Sequence, residues 1–362
     1  CTRFGQELSC SPTRRLLDGR KFYCNESALI VSCPSMIISR SPVRLPLGGG
    51  GTDLASYYSK FGGFFVSAAI DKYNYITVKK RFENGFRISY SETEIIDRIE
   101  DIRQPIIREA LRLVNMKDQL EIVSIADVPG RSGMGGSSSY TVGVLNALHS
   151  YNMENVSRQV LAEEACHIEI NILKEPIGKQ DQYVAAFGGI NSYEVEKDGT
   201  VRASPLQLSS HTIAELESNL LLFYTGIKRN ASDILERQKR DEEKGVRDVI
   251  DSMHKIKEIG YQVRDALVCG DLHQFGELLD LHWQTKKNLS SQVSNQRIDQ
   301  TYNMARLSGA LGGKIMGAGG GGFFVFYSED KKEKLRKAMT REGLKELRFR
   351  FDFEGSKIIL NM

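Results

Sequence analysis

The spacing of apolar and polar positions divides the chain into distinct elements. Residues 37–47 ("IISRSPVRLPL") read as a strand, and residues 55–62 as a short helix. Residues 64–70 and 73–81 are rich in aromatic and β-branched side chains. They are predicted as paired strands, with residues 86–90 joining them. Between 105 and 114, Ile and Leu recur every three or four positions, the period of an amphipathic helix, and residues 120–126 form the next strand. Further on, Val142, Val144, Leu145 and Leu148 mark a helix face, and residues 157–173 predict another helix with Ala, Cys and Ile on one stripe. A loop and a short helix follow over 175–189, then a hairpin from 189–194 and 201–206. The run "NLLLFYTG" (219–226) opens a second half that is mostly helical from 231 to 307. It closes with two strands around a glycine-rich loop (312–327), a helix and a strand. No internal repeat is visible. This order predicts an α+β protein of two domains, 36–208 and 209–362, and not a repeating βαβ sheet.

Composition narrows the class. The 362 residues are 41% hydrophobic and 26% charged, enough for a substantial core. A net charge of +3 gives no reason to expect nucleic acid or a membrane surface as a partner. No apolar run reaches the roughly 18 residues that span a bilayer. Cys1, Cys10, Cys24 and Cys33 crowd the first 35 positions without metal-binding spacing, and that segment lacks the layout of a signal peptide. Residues 1–35 therefore read as upstream or appended sequence, with Met36 as the natural start; a genuine N-terminal extension is the alternative. The remaining Cys166 and Cys269 suit a reducing cytoplasm.

Three glycine-rich stretches interrupt the pattern. In "PGRSGMGGSSS" (129–139) the apolar helix face that follows excludes a flexible linker. The dinucleotide pattern also fails, because the last required glycine falls on Ser138. A glycine- and serine-lined helix N-terminus remains, where free backbone N–H groups favour an anion such as phosphate; a closely packed helix start is the plain alternative. The stretch 317–322 matches G-x-G-x-x-G, but "FFVFY" after it reads as a strand where the dinucleotide pattern needs a helix. "GGGGTDL" (48–54) is the third. Arg44 and Asp53 flank it, either as groups for a polar substrate or as a surface ion pair.

Among the acids, Asp181 lies two residues from Lys179 and reads equally as a general base or a helix cap. Glu169 stands between two isoleucines and is expected to face inward, where a carboxylate can join substrate phosphates in holding Mg²⁺. Glu163 and Glu164 read as a solvated face. Zinc-protease and serine-hydrolase motifs are absent.

The order of these stretches resembles the GHMP family of small-molecule kinases. "SPVRLPLGGGGTDL" is similar to its first motif, "PGRSGMGGSSS" to its second and "KIMGAGGGGFFVFY" to its third. "EPIGKQDQY" and "TGIKRNASDIL" resemble its branch acting on heptose 7-phosphate. The resemblance implies an N-terminal domain like domain 2 of ribosomal protein S5 and a ferredoxin-like C-terminal domain. It implies ATP and Mg²⁺ as cofactors, with the phosphates on Gly130, Arg131, Ser132, Gly133, Met134, Gly135, Gly136, Ser137 and Ser138. Ser137 and Glu169 would hold the metal, although Gly136 and Ser138 depart from the motif and leave Ser138 as the other candidate hydroxyl. Asp181 would take the acceptor's proton, and Arg44 would steady the phosphoryl charge. Asp53, with Gly50, Gly51, Thr52, Lys179, Gly319 and Gly320, would hold the sugar, and Lys179, Lys228 and Arg229 are candidates for its phosphate. The expected activity is a cytoplasmic sugar-phosphate 1-kinase, monomeric or homodimeric. The alternatives are a kinase for fucose or an N-acetylhexosamine, or a sensor that binds sugar and ATP without turnover.

Overall fold

The computed structural model describes residues 34–362, apart from 131, 228–234, 237–239, 241, 243, 245 and 291. The proposed extension, Arg131, Lys228 and Arg229 thus lie outside the described residues, save for positions 34 and 35.

Strand β1 (Met36–Gly48) runs antiparallel to β2 (Gly63–Lys80), and α1 (Ala55–Phe61) fills the connection. The two strands expected at 64–70 and 73–81 are one strand. Its register against β1 jumps from Pro42–Tyr73 to Val43–Ile70, so Asp71 and Lys72 are accommodated as a bulge and pairing resumes beyond them. Strand β3 (Phe86–Ser89) does not join these halves. It forms a hairpin with β4 (Thr93–Ile96) and pairs in parallel with β5 (Leu120–Ala126). Between them, α2 (Pro105–Leu113) starts with Pro105 in its first turn and Gln104 Oε1 accepting from the Ile107 N–H at 2.8 Å, both favourable helix starts.

Helix α3 (Gly136–Tyr151) leads to α4 (Arg158–Cys166), where the helix expected over 157–173 changes form: His167–Ile172 is a π-helical turn. Helix α5 (Gln180–Phe187) and the hairpin β6 (Ile190–Val195) and β7 (Val201–Pro205) follow. Beyond α6 (Ser210–Asn219), β8 (Leu220–Tyr224) opens the second sheet. Helices α7 (Arg247–Cys269), α8 (Leu272–Lys287) and α9 (Gln296–Leu307) come next. Strands β9 (Gly312–Ile315) and β10 (Phe323–Tyr327), helix α10 (Lys332–Arg341) and β11 (Lys345–Leu347) complete that half. The last strand, β12 (Lys357–Asn361), returns to the first sheet beside β1. The sheets have the orders β12-β1-β2-β5-β3-β4, with β6 and β7 added on β2, and β11-β8-β10-β9.

Alternate side chains of β2 serve two cores, as the two-residue period of a strand requires. Phe65 and Ala69 pack with Val142, Leu145 and Leu148 of α3. Phe64, Val66, Ala68 and Ile70 pack on the opposite face with Val263, Phe275 and Leu279 of α7 and α8. Strand β8 divides likewise: Leu220 and Leu222 join the second core, while Leu221 and Phe223 meet Trp283, Tyr302 and Leu335 in a third. The central core thus ties the two sheets together, and the loops at its edge meet in one cleft.

Candidate active site

Two glycine loops are pressed into each other. A Cβ built on Gly133 would stand 2.7 Å from the Met316 carbonyl oxygen, one on Gly317 2.9 Å from Gly133 Cα, and one on Gly322 2.3 Å from the Ser132 carbonyl oxygen. Only backbone fits between them. The 317–322 loop therefore buttresses the loop before α3. This corrects the expected roles of Gly319 and Gly320: Gly320 N donates to the Val293 carbonyl at 2.6 Å, and a Cβ on Gly319 would lie 2.6 Å from the same oxygen. Both pack against Val293.

The loop before α3 leaves the start of that helix without a side-chain cap. Gly135 caps the helix in the left-handed region at φ 72° and supplies no side chain to the first-turn N–H groups. A Cβ added at Gly130 or Gly136 would meet nothing within 4 Å, so both face open space. Ser132 is buried. Met134 departs from a phosphate-binding role in its side chain, which lies in the core beside Val43 and Leu45, while its carbonyl accepts from Arg44 N at 3.1 Å.

Arg44, buried on β1, forks onto Asp181 in the first turn of α5. Nε donates to Oδ1 at 2.7 Å and Nη2 to Oδ2 at 3.1 Å, and Nη1 donates to the Gly133 carbonyl at 2.5 Å. Such a bidentate pair fixes the orientation of the carboxylate as well as its position. A Cβ on Gly135 would lie 2.9 Å from Asp181 Cγ and Oδ2, so glycine there lets the helix start come up against the carboxylate. Arg44 therefore pairs with Asp181, not with Asp53 across the first loop, and the cation facing Asp181 is Arg44, not Lys179.

Glu169 sits on the π-helical turn with its side chain buried. Ser137 Oγ donates to Oε1 at 2.8 Å and Gln182 Nε2 to Oε2 at 2.7 Å. Burial pushes its carboxyl up to about 7 against the opposing hydrogen bonds from Ser138, Ser137 and Gln182, with the Asp181 charge adding to the rise. Ser137 is exposed at the helix start, whereas Ser138 is buried. The π turn is what aims Glu169 at α3; such turns recur at functional sites.

Asp53 is also buried. Its oxygens accept from Gly51 N and Gln180 N, both at 2.9 Å. Burial raises its pKa, the two backbone N–H bonds oppose that rise, and the Asp181 charge adds to it. A Cβ on Gly178 would fall 1.9 Å from Asp53 Oδ2, which explains the glycine of "PIGKQDQ". Asp53, Gly50, Gly51, Gln180 and Asp181 line a cleft with Arg44 at its edge. Two expected sugar contacts lie elsewhere. Thr52 Oγ1 donates within 2.8 Å of the Gly49 and Phe64 carbonyls and accepts from Phe64 N at 3.0 Å, so its hydroxyl braces the loop. Lys179 Nζ donates to the Gly199 carbonyl and lies 5.5 Å over the Tyr58 ring, away from the cleft lining.

The far wall of the cleft holds residues that sequence reasoning missed: His282 and Lys286 of α8 and Lys314 of β9. A lysine inside the apolar strand "GGKIM" was the one available signal. Lys314 is 1% exposed.

An uncapped helix start abutting a carboxylate that a guanidinium holds in place suits a class of enzymes, the small-molecule phosphotransferases, in which positioning and charge carry the chemistry. Residues 104–189 match the GHMP kinases N terminal domain and 263–345 the GHMP kinases C terminal model. The D-glycero-alpha-D-manno-heptose 7-phosphate kinase of Campylobacter jejuni is 34% identical over 89% of this chain and 98% of its own length. A galactokinase of Pyrococcus furiosus is 28% identical over 86% of this chain and 94% of its own. The crystal structure of a D-glycero-D-manno-heptose 1-phosphate kinase from Bacteroides thetaiotaomicron superposes with a TM-score of 0.75 at 26% identity, over 90% of this chain and 99% of that one. The chain belongs to the GHMP kinase family. It is a sugar kinase of the two-domain α+β architecture and uses ATP. No helix among the described residues is long and apolar enough to cross a membrane.

Proposed function

We propose that the protein transfers the γ-phosphoryl group of ATP to the anomeric hydroxyl of D-glycero-D-manno-heptose 7-phosphate, giving the 1,7-bisphosphate used to make nucleotide-activated heptose for surface polysaccharide. The observation that carries this reading is the forked Arg44–Asp181 pair against the start of α3. Asp181 accepts the proton of the attacking hydroxyl. Arg44 keeps the carboxylate aimed and offsets charge on the transferring group. The N–H groups opening α3 hold the ATP phosphates, and Asp53 orients sugar hydroxyls from the opposite side.

Ser137 and Glu169 offer hard oxygen donors next to that helix start, a set that fits Mg²⁺, which takes one or two protein ligands together with substrate phosphates. The metal would supply neutralisation of phosphate charge. The exposed Ser137 is the better candidate than the buried Ser138 for the hydroxyl ligand. Division at 208/209, a cytoplasmic setting, and a monomeric or homodimeric state with no nucleic-acid or membrane partner belong to the same reading.

The test is a coupled ADP-release assay on heptose 7-phosphate, fucose and an N-acetylhexosamine. Turnover of the heptose phosphate well above the free sugars is expected. Strong turnover of a sugar without phosphate, and none of the heptose phosphate, overturns the substrate assignment. ATP binding with no turnover of any sugar overturns the kinase reading in favour of a sensor.

A further inference from the structure

The cleft has walls of opposite character. One carries Asp53 and Asp181, acceptors suited to hydroxyls. The other carries two lysines and a histidine from α8 and β9. His282 and Lys286 are one turn apart on α8 and share a face. Lys314 Nζ lies 2.7 Å from His282 Nδ1 and donates to the Leu47 carbonyl at 3.0 Å. When Lys314 carries its proton, as beside a bound phosphate, Nδ1 accepts and the ring proton resides on Nε2. His282 is 2% exposed, and its Nε2 has no hydrogen-bond partner. The cleft also holds a second buried nitrogen without a partner, Gln180 Nε2. Two buried nitrogens left unpaired in one cleft carry a desolvation cost that a ligand acceptor would relieve where they bear hydrogen.

We propose that His282, Lys286 and Lys314 form the subsite for the phosphate of the sugar substrate, the group remote from the reacting hydroxyl, with His282 Nε2 donating to a phosphate oxygen and Lys314 behind it setting the tautomer.

This rests on the reading of the substrate as a sugar phosphate. Among the described residues the loop before α3 contributes nothing to this lining. Lys314 and Arg44 line one cleft. Lys314 is anchored at the Leu47 carbonyl, and Arg44 of the reaction centre lies three residues earlier on the same strand. Burial, then the Lys286 and Arg44 charges, holds Lys314 well below the usual lysine range, and burial with the two lysines does the same to His282.

Calorimetric binding of heptose 7-phosphate and of unphosphorylated heptose, each with ADP present, tests the proposal in the wild type and in Lys286→Met and His282→Phe. The wild type is expected to prefer the phosphorylated sugar. Each variant is expected to lose about tenfold or more of that preference, the loss of one hydrogen bond to a charged group, with ADP affinity and unfolding temperature near wild type. Lys286→Met guards against a folding defect in the more buried His282 variant. A wild-type preference that both folded variants retain overturns the subsite and leaves the substrate reading standing. A wild type that binds and turns over heptose as well as its 7-phosphate fails the substrate reading and removes the subsite with it.

Discussion

Arg44 and Asp181 are 137 residues apart in the chain, yet the guanidinium holds both oxygens of the carboxylate, at 2.7 and 3.1 Å. Three contacts brace the arginine: two to Asp181 and one to the Gly133 carbonyl. The loop that would hold phosphate and the acid that would take the proton are therefore fixed by one side chain.

Asp181→Asn keeps the shape and removes the base. Turnover is expected to fall about 10²–10⁴-fold with ADP affinity unchanged, as read by steady-state kinetics and calorimetry. Unchanged turnover removes Asp181 from the mechanism. Asp181→Ala has a second effect, because the Arg44 side chain is only 6% exposed against 25% for Asp181. Losing the acid strands a buried cation, whereas losing the arginine leaves a carboxylate that water can reach. Asp181→Ala is expected to lower unfolding free energy by about 3 kcal/mol, more than Arg44→Met does, as measured by urea denaturation.

Gly135→Ala places a methyl 2.9 Å from the Asp181 carboxylate at a residue whose φ is 72°. Left-handed backbone alone costs a non-glycine residue about 1–2 kcal/mol. Stability is expected to fall by at least that much, and turnover to fall more than ADP affinity because the carboxylate is displaced. Wild-type turnover in a folded Gly135→Ala protein contradicts the close approach.

Ser137→Ala is expected to raise the half-saturating Mg²⁺ concentration about tenfold or more, and Ser138→Ala by less, since Ser137 is exposed beside Glu169 while Ser138 is buried. Mg²⁺ titration of activity at saturating ATP separates the two. The reverse order transfers the ligand role to Ser138.

His149, far from the cleft, lies between two acids, with Nδ1 2.5 Å from Glu154 and Nε2 2.7 Å from Glu164. Burial lowers its pKa, but the hydrogen bonds to Glu164 and Glu154 outweigh burial and leave it raised above 6.5. The folded state therefore binds the proton more tightly than the unfolded chain. Its stabilising contribution is complete below about pH 6.5 and is lost as pH rises through the folded-state value. The unfolding-temperature difference between wild type and His149→Gln is expected to shrink across that rise. A difference independent of pH from 6 to 9 contradicts the assignment.

The local signals that sequence carries are periodicity and punctuation, and these located most helices and strands and all three glycine loops. They also singled out Arg44, Asp53, Glu169 and Asp181, because motif order is a property of the chain. Direction and partner are not. Sequence puts Asp181 beside Lys179, but two residues apart near a helix start do not face each other, and Lys179 turns to the Gly199 carbonyl. Residues 64–81 looked like two strands because Asp71 and Lys72 interrupt the apolar run, while a bulge absorbs both. Gly319 and Gly320 carried a motif but serve packing, since glycine permits the approach of backbone as readily as that of a ligand. His282, Lys286 and Lys314 converge only when α8 packs against β9, and β12 reaches β1 only after some 300 residues have folded between them. Sequence by itself determined the elements and the chemistry available. Tertiary structure decided which groups face one another, because long-range packing, not local preference, sets the direction of a buried polar side chain.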